Sequence, residues 1–235
     1  MADRPVDLGN LGPDAEGITA RMREICADLG VEYACYASNT TINGELVGLT
    51  TYPEEWRAHY LSQGHHMRDP TLTRAVHAVA PVDWSRLRNM DGYAEVFRDA
   101  SDFAIPQTGL SVPIRGAFGD RGVLTLARRC SDVEWAAQKR EIMQQVQLMA
   151  AQLHDDVLRS GQVLQRIRQP TLSDREKEIL QWTAAGKSQQ DIADILNLSS
   201  RTVEVHLRSA RAKLGALNTA QAVGRAIGLR VIYPI

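Results

Sequence analysis

The sequence predicts an α+β protein in two parts: an antiparallel sheet covered by helices, then a separate all-α unit of four short helices. Three observations carry this. Asn43-Gly44 stands between two strand-like runs, the pattern of a two-residue hairpin turn. Apolar residues recur at helical spacing before, between and after the strand-like runs. Beyond residue 170, four helical patterns follow in quick succession, each with its own start signal.

Taken in order, DAEGITARMREICADLG (14–30) sets Ile18, Met22, Ile25 and Leu29 on one face and stops at Gly30, an amphipathic helix. VEYACYASNTT and ELVGLTTY are the arms of the hairpin. TYPEEWRAHYLSQGHHMRDP (51–70) reads as a helix ended by Asp69-Pro70, with Tyr52, Trp56 and Tyr60 four apart on one stripe. Three aromatics with polar tips suit either a core edge or the lining of a pocket. PTLTRAVHAVAP is expected as a short helix stopped at Pro81, VDWS as a loop or short strand, and GYAEVFRDASDF as a helix. GLSVPIRGA and GVLTLARR are β runs around a turn at 118–122, which makes about five strands.

From Asp132 to Val163 a long helical pattern carries Ile142, Val146, Met149, Leu153 and Val157 in a narrow stripe. Its first half can pack on the sheet. Beyond Leu153 it outruns the expected sheet, which points to a partner helix and a homodimer. SGQVLQRIRQPTLS, with Gly161 and Pro170, interrupts the pattern. The expected organisation is therefore a domain over 1–163, a linker over 164–172 and a second domain over 173–235.

In the second domain Ser173 and Glu176 have capping-box spacing, so Glu176 needs no catalytic explanation. Gly186 ends that helix, Ser188 and Asp191 open the next, and Asn197-Leu198-Ser199 turns the chain into SRTVEVHLRSARAKL. Val203, Leu207, Ala210 and Leu214 give that helix a core face. Its other face holds Arg201, Thr202, Glu204, Val205, His206, Arg208, Arg211 and Lys213. Two short helices joined by a tight turn, the second bearing side chains that reach base edges or phosphates, is the layout of a helix-turn-helix.

Composition narrows the function class. The 235 residues are 44% hydrophobic and 23% charged, the profile of a soluble globular chain. No basic region followed by an apolar core opens the sequence, and no run of ~18 apolar residues occurs, so the expectation is a cytoplasmic protein without a membrane partner. Cys26, Cys35 and Cys130 show no C-x-x-C spacing and are expected as free thiols. The net charge of −1 divides unevenly: from Thr171 onward nine Lys+Arg oppose six Asp+Glu, or +3, against −4 for the remainder.

LSDREKEILQWTAAGKSQQDIADILNLSSRTVEVHLRSARAKL resembles the DNA-binding domain of LuxR-type transcription regulators, with Glu176, Leu180 and Gly186 at that family's spacing, over nearly all of 171–230. Response regulators share this domain behind a receiver, but residues 1–130 lack the acidic cluster and strand-end aspartate a receiver needs. Trp56, Tyr60, Asp69, Pro70, Trp84 and Gly109, with GLSVPI, instead fall at signature positions of the autoinducer-binding domain of quorum-sensing LuxR-type regulators. That resemblance implies an α/β/α sandwich burying an N-acyl-homoserine lactone.

The residue types suit such a ligand, which offers one amide N–H and several carbonyl acceptors. By resemblance the Trp56 indole donates to the lactone carbonyl; ionised Asp69 accepts the amide N–H, Tyr52 donates to the amide carbonyl and Thr125 adds a further hydrogen bond. Tyr60 and Trp84 are expected to wall the lactone ring by packing. The alternating polar residues of 35–42 imply a short, oxygenated or aromatic acyl group. On the third C-terminal helix, Glu204 and Arg208 are expected at base edges and Val205 at a thymine methyl. Arg201, Thr202, His206 and Lys213 are expected at phosphates.

Enzymatic function is not expected, because no G-x-S-x-G elbow is present. No metal set is expected either: His65-His66 are adjacent and point apart. No cofactor is implied beyond the signal ligand. The expected partners are a palindromic double-stranded operator, the lactone, a second copy of the chain and, for an activator, RNA polymerase. The alternative is a LuxR-type regulator whose N-terminal domain senses an unrelated metabolite or only dimerises.

Overall fold

A computed structural model of the chain describes residues 7–8, 15–39, 46–116, 121–159 and 171–233. The chain forms two compact units: described residues up to Arg159 fall in the first and those from Thr171 onward in the second.

The first unit holds strands β1 (Asp7–Leu8), β2 (Tyr33–Asn39), β3 (Leu46–Thr50), β4 (Val82–Asp83), β5 (Thr108–Arg115) and β6 (Arg121–Arg128). In space they run β1-β3-β2-β6-β5-β4, antiparallel except for the pairing of β1 with β3. Helices α1 (Ala15–Leu29), α2 (Glu54–Ser62), α3 (Pro70–Thr73), α4 (Tyr93–Asp102) and α5 (Asp132–Arg159) complete it, with short 3₁₀ turns at His65–Met67, Ala75–His77 and Trp84–Arg86. The Asn43-Gly44 turn lies outside the described residues, but β2 and β3 pair antiparallel on either side of it.

Strand alternation gives the sheet two different faces. One carries Tyr36, Leu110, Val112, Leu124 and Leu126, all at most 3% exposed, and packs against α1 and α5. The Tyr36 hydroxyl meets His154 Nδ1 of α5 at 2.6 Å, a buried polar contact between the sheet and that helix. Registration sets Thr50, Cys35, Thr125 and Ser111 side by side across β3, β2, β6 and β5 on the other face. Helices α2 and α4 and the Trp84 turn join that face in an aromatic-rich cluster.

The long helix corrects one expectation. Leu153 and Val157 do not await a partner chain: both are at most 1% exposed, because α1 packs along α5 and covers the stripe where the sheet ends. Ala150, His154 and Leu158 share that buried face, whereas Leu148 stands 65% exposed on another.

The second unit contains α6 (Asp174–Ala184), α7 (Gln189–Leu196), α8 (Ser200–Leu214) and α9 (Thr219–Gly228). Capping boxes at Ser173/Glu176 and Ser188/Asp191 start α6 and α7, Ser199 caps α8, and Asn197, in the left-handed conformation, ends α7. Ile179, Leu180, Ile192, Val203, Leu207 and Ala226 form its core. Glu176 does more than cap. Its carboxylate also accepts from Ser209 Oγ at 2.6 Å and from Lys213 Nζ at 2.7 and 2.9 Å, tying α6 to α8.

Burial raises the Glu176 carboxyl, but the bonds from Lys213, Ser209 and the Ser173 amide outweigh it and hold the group down to about 2. The folded value lies below the unfolded one, so the stabilisation is full above about pH 4.5 and is lost as pH falls toward 2. Lys213→Met leaves a buried charge short of its partner and is expected to cost about 3 kcal/mol in urea unfolding at pH 7, with the difference shrinking below pH 4. Gly109 makes a second prediction. A Cβ there would collide with the Leu126 carbonyl oxygen and stand 2.8 Å from the Trp84 ring. Gly109→Ala is therefore expected to lower thermal stability by about 2 kcal/mol while shifting Trp84 fluorescence.

Candidate functional site

Between the Thr50–Cys35–Thr125 face of the sheet and helices α2, α3 and α4 lies a cavity of about 80 Å³. Tyr52, Trp56, Tyr60, Asp69, Trp84 and Thr125 all line it, so the fold brings the six residues named from sequence to one place.

Each arrives there for a local reason. Tyr52 is not on the helical stripe: Pro53 takes the N-cap position of α2, so Tyr52 stays at the end of the β3 arm, its ring stacked on Tyr33 at 4.9 Å between centroids. Trp56, in the first turn of α2, is 5% exposed and packs edge-on to Tyr60 at 5.5 Å. Among the described residues neither the Trp56 indole N–H nor the Tyr52 hydroxyl has a hydrogen-bond partner. Trp84, beside Gly109, donates its indole N–H to Ser111 Oγ at 2.8 Å, so it offers the cavity a ring and not a donor. Thr125 donates to the Cys35 carbonyl at 3.2 Å and keeps acceptor capacity.

Asp69 organises the polar end. As N-cap of α3 it accepts the Thr71 amide on Oδ1 at 2.8 Å, and its Oδ2 accepts the Tyr60 hydroxyl at 2.9 Å. Tyr60 therefore does more than pack, which corrects the sequence expectation; the bond joins residues nine apart through a turn whose path no periodicity encodes. Burial, at 7% exposure, pushes the Asp69 carboxyl up, against the lowering effect of the Thr71 and Tyr60 bonds. Burial also keeps both phenols, Tyr52 and Tyr60, protonated as donors. It lifts the Cys35 thiol to about 11, which leaves a weak donor and not a thiolate nucleophile.

Sequence reasoning missed several lining residues. Cys35 and Ala37 show which set of the alternating β2 residues faces the cavity, and Thr50 and Thr71 add polar groups. Val96, Phe97 and Ala100 form the apolar wall from α4. A helical period marks such residues as buried but does not say they border a space. Arg57 also lines it, with no sequence signal beyond its place after Trp56.

In the second unit, Arg201, Val205 and Arg208 stand exposed on α8, Val205 at 53%, and Thr202 and His206 are half-buried. Glu204 is held by Gln189 Nε2 at 2.8 Å and Arg211 at 3.1 Å. Lys213 also stands exposed on α8 while pairing with Glu176 at 2.7 Å.

The profile described as "Autoinducer binding domain" matches residues 14–157, and that described as "Bacterial regulatory proteins, luxR family" matches 170–226. The transcriptional activator protein SolR of Ralstonia nicotianae is 30% identical over 225 residues, covering 93% of each chain. The quorum-sensing regulator RhlR of Pseudomonas aeruginosa is 30% identical over 224 residues, 93% of this chain and 91% of RhlR. Relatives of this kind are transcriptional regulators, not enzymes. In fold, the chain is similar to the crystal structure of Escherichia coli SdiA, with a TM-score of 0.70 over 93% of this chain and 92% of that one at 23% identity. No helix among the described residues is long and apolar enough to cross a membrane. With both of its units matched, the chain belongs to the LuxR family of transcription regulators, an autoinducer-binding domain followed by a LuxR-type DNA-binding domain.

Proposed function

We propose that the signal taken by this quorum-sensing transcription regulator is an N-acyl-homoserine lactone, and that the liganded chain binds a palindromic operator as a homodimer. One observation carries the ligand reading: a buried carboxylate, Asp69, shares one cavity with two donors, Trp56 N–H and Tyr52 O–H, that the described protein leaves unpaired. A ligand with one N–H and two carbonyls is the complement of that set. Asp69 accepts the amide N–H, Trp56 donates to the lactone carbonyl, Tyr52 to the amide carbonyl, and Trp84 walls the ring.

The ladder of Thr50, Cys35 and Thr125 supports a short, oxygenated or aromatic acyl group, since a long saturated chain would leave those polar groups facing hydrocarbon. At about 80 Å³ the cavity is well below the ~300 Å³ at which ligand pockets usually begin, so a lactone of any tail length enters only as lining side chains move apart.

On DNA, two copies of α8 enter successive major grooves about one turn apart. Arg208 reads guanine, Val205 meets a thymine methyl, and Arg201, Thr202 and His206 hold phosphates. Glu204 reads a base edge only by exchanging its bonds to Gln189 and Arg211. In an activator the DNA-bound dimer would then meet RNA polymerase.

Calorimetric titration with a panel of homoserine lactones tests the ligand reading. Asp69→Asn removes a charge-assisted bond worth about 1.5 to 3 kcal/mol and is expected to weaken binding at least tenfold. Full affinity in that variant would refute the clamp, and a melting temperature unmoved by every lactone would favour a sensor of another metabolite. A pH dependence follows too. As pH falls through the raised Asp69 value, a proton takes the acceptor site, so lactone affinity should fall in the wild type and stay flat in Asp69→Asn. For DNA, Arg208→Ala is expected to cost about 1 to 3 kcal/mol on operator and much less on random sequence, measured by fluorescence anisotropy at fixed salt. Equal losses on both would remove the base-reading role.

A further inference from the structure

Beside the cavity, three potential metal ligands converge from three separate elements. His59 Nε2 of α2 lies 3.2 Å from Asp99 Oδ2 of α4, and His65 Nε2, in the 3₁₀ turn, lies 3.0 Å from the same oxygen. All three ligand atoms lie within 4.8 Å of one another. Tetrahedral ligands at 2.0 to 2.2 Å from zinc are roughly 3.3 Å apart, so two edges of such a site are already close to length.

We propose that His59, His65 and Asp99 form a binding site for a borderline transition-metal dication such as Zn²⁺ or Co²⁺, with water in the fourth position. The chemistry fits that class: two imidazoles and one carboxylate suit Zn²⁺ and Co²⁺, whereas Ca²⁺ and Mg²⁺ need more oxygen ligands. Access is also suitable. His59 and Asp99 side chains are 31% and 22% exposed, leaving a path for the ion and a water, while His65, at 1%, anchors the inner side.

The alternative is that two imidazoles simply donate to one carboxylate oxygen. His65 Nδ1 has no partner, so Nε2 alone meets the polar demand of that buried ring, and it does so at an oxygen His59 also uses. A cation at the convergence point would take a lone pair from each of the three groups at once, with each imidazole carrying its proton on Nδ1. The pair His65-His66, adjacent in sequence, is not the set; His59 and Asp99 complete it across 40 residues.

Occupation would couple parts that bound the signal cavity. His59 shares α2 with Trp56 and Tyr60, Asp99 shares α4 with Val96, Phe97 and Ala100, and the His65 carbonyl accepts the Asp69 amide at 2.8 Å. The site itself requires no particular signal ligand, so its test is independent of the lactone reading.

Untagged full-length protein, stripped with chelator, is titrated with Co²⁺ while the visible bands of tetrahedral Co²⁺ are followed, and then with Zn²⁺. One Co²⁺ per chain, displaced by Zn²⁺, is expected. Binding should weaken at least tenfold in His59→Gln and in Asp99→Asn, and stay unchanged in His77→Gln, an exposed histidine outside the cluster. Zn²⁺ should also raise the melting temperature of the wild type by several degrees over chelator, and raise it less in both cluster variants. Absence of tetrahedral bands, or equal metal affinity and equal thermal response in wild type, His59→Gln and Asp99→Asn, would overturn the proposal.

Discussion

A carboxylate removed from water must be surrounded by donors, and the polar end of the N-terminal unit is arranged around that requirement at Asp69. The residue ends the turn after α2, caps α3 through the Thr71 amide, and receives the Tyr60 hydroxyl from the opposite side. Those bonds orient the aromatic helix toward the sheet. Asp69 still has acceptor capacity to spare, and the unpaired donors of Trp56 and Tyr52 line the same cavity. A cavity whose polar groups are incompletely matched by the protein is a cavity prepared for something else.

The sheet makes that arrangement possible by separating two tasks. Its Leu110–Leu126 face is sealed by α1 and α5, which take up the apolar surface that gives the unit its stability. The opposite face is freed to carry threonine, cysteine and serine side by side. Gly109 serves this division: only a residue without a Cβ lets Trp84 lie flat against β5, closing the cavity beside Ser111.

The C-terminal unit meets the same electrostatic constraint differently. Glu176, at 3% exposure, is at least as buried as Asp69 but has a cation, Lys213, and a hydroxyl, Ser209, from α8, so its charge is stabilised and its acidity rises. Among the described residues no cation forms an ion pair with Asp69, and burial raises it. The first carboxylate is thereby a structural tie between helices, with its demand met inside the protein. The second accepts one hydrogen bond on each oxygen and keeps spare lone pairs, which the proposed ligand contact would use.

What depends on neighbours within a turn or two was legible in the sequence. Capping boxes at Ser173 and Ser188, the left-handed Asn197, the glycine stop at Gly30 and strand alternation are local chemistry, and they suffice to order the four C-terminal helices and the main strands. The six cavity residues were reached through a family resemblance, since spacing alone favoured a core edge over a pocket. Pro53 detached Tyr52 from the helical stripe by an equally local effect, which the spacing overlooked. Two things were decided only by tertiary structure: α1 covered the Leu153–Val157 stripe that had suggested a partner helix, and Tyr60 and Lys213 found carboxylates nine and 37 residues away. Periodicity marks a side chain as buried but carries no information about what buries it, because that partner lies at a sequence distance no local rule spans.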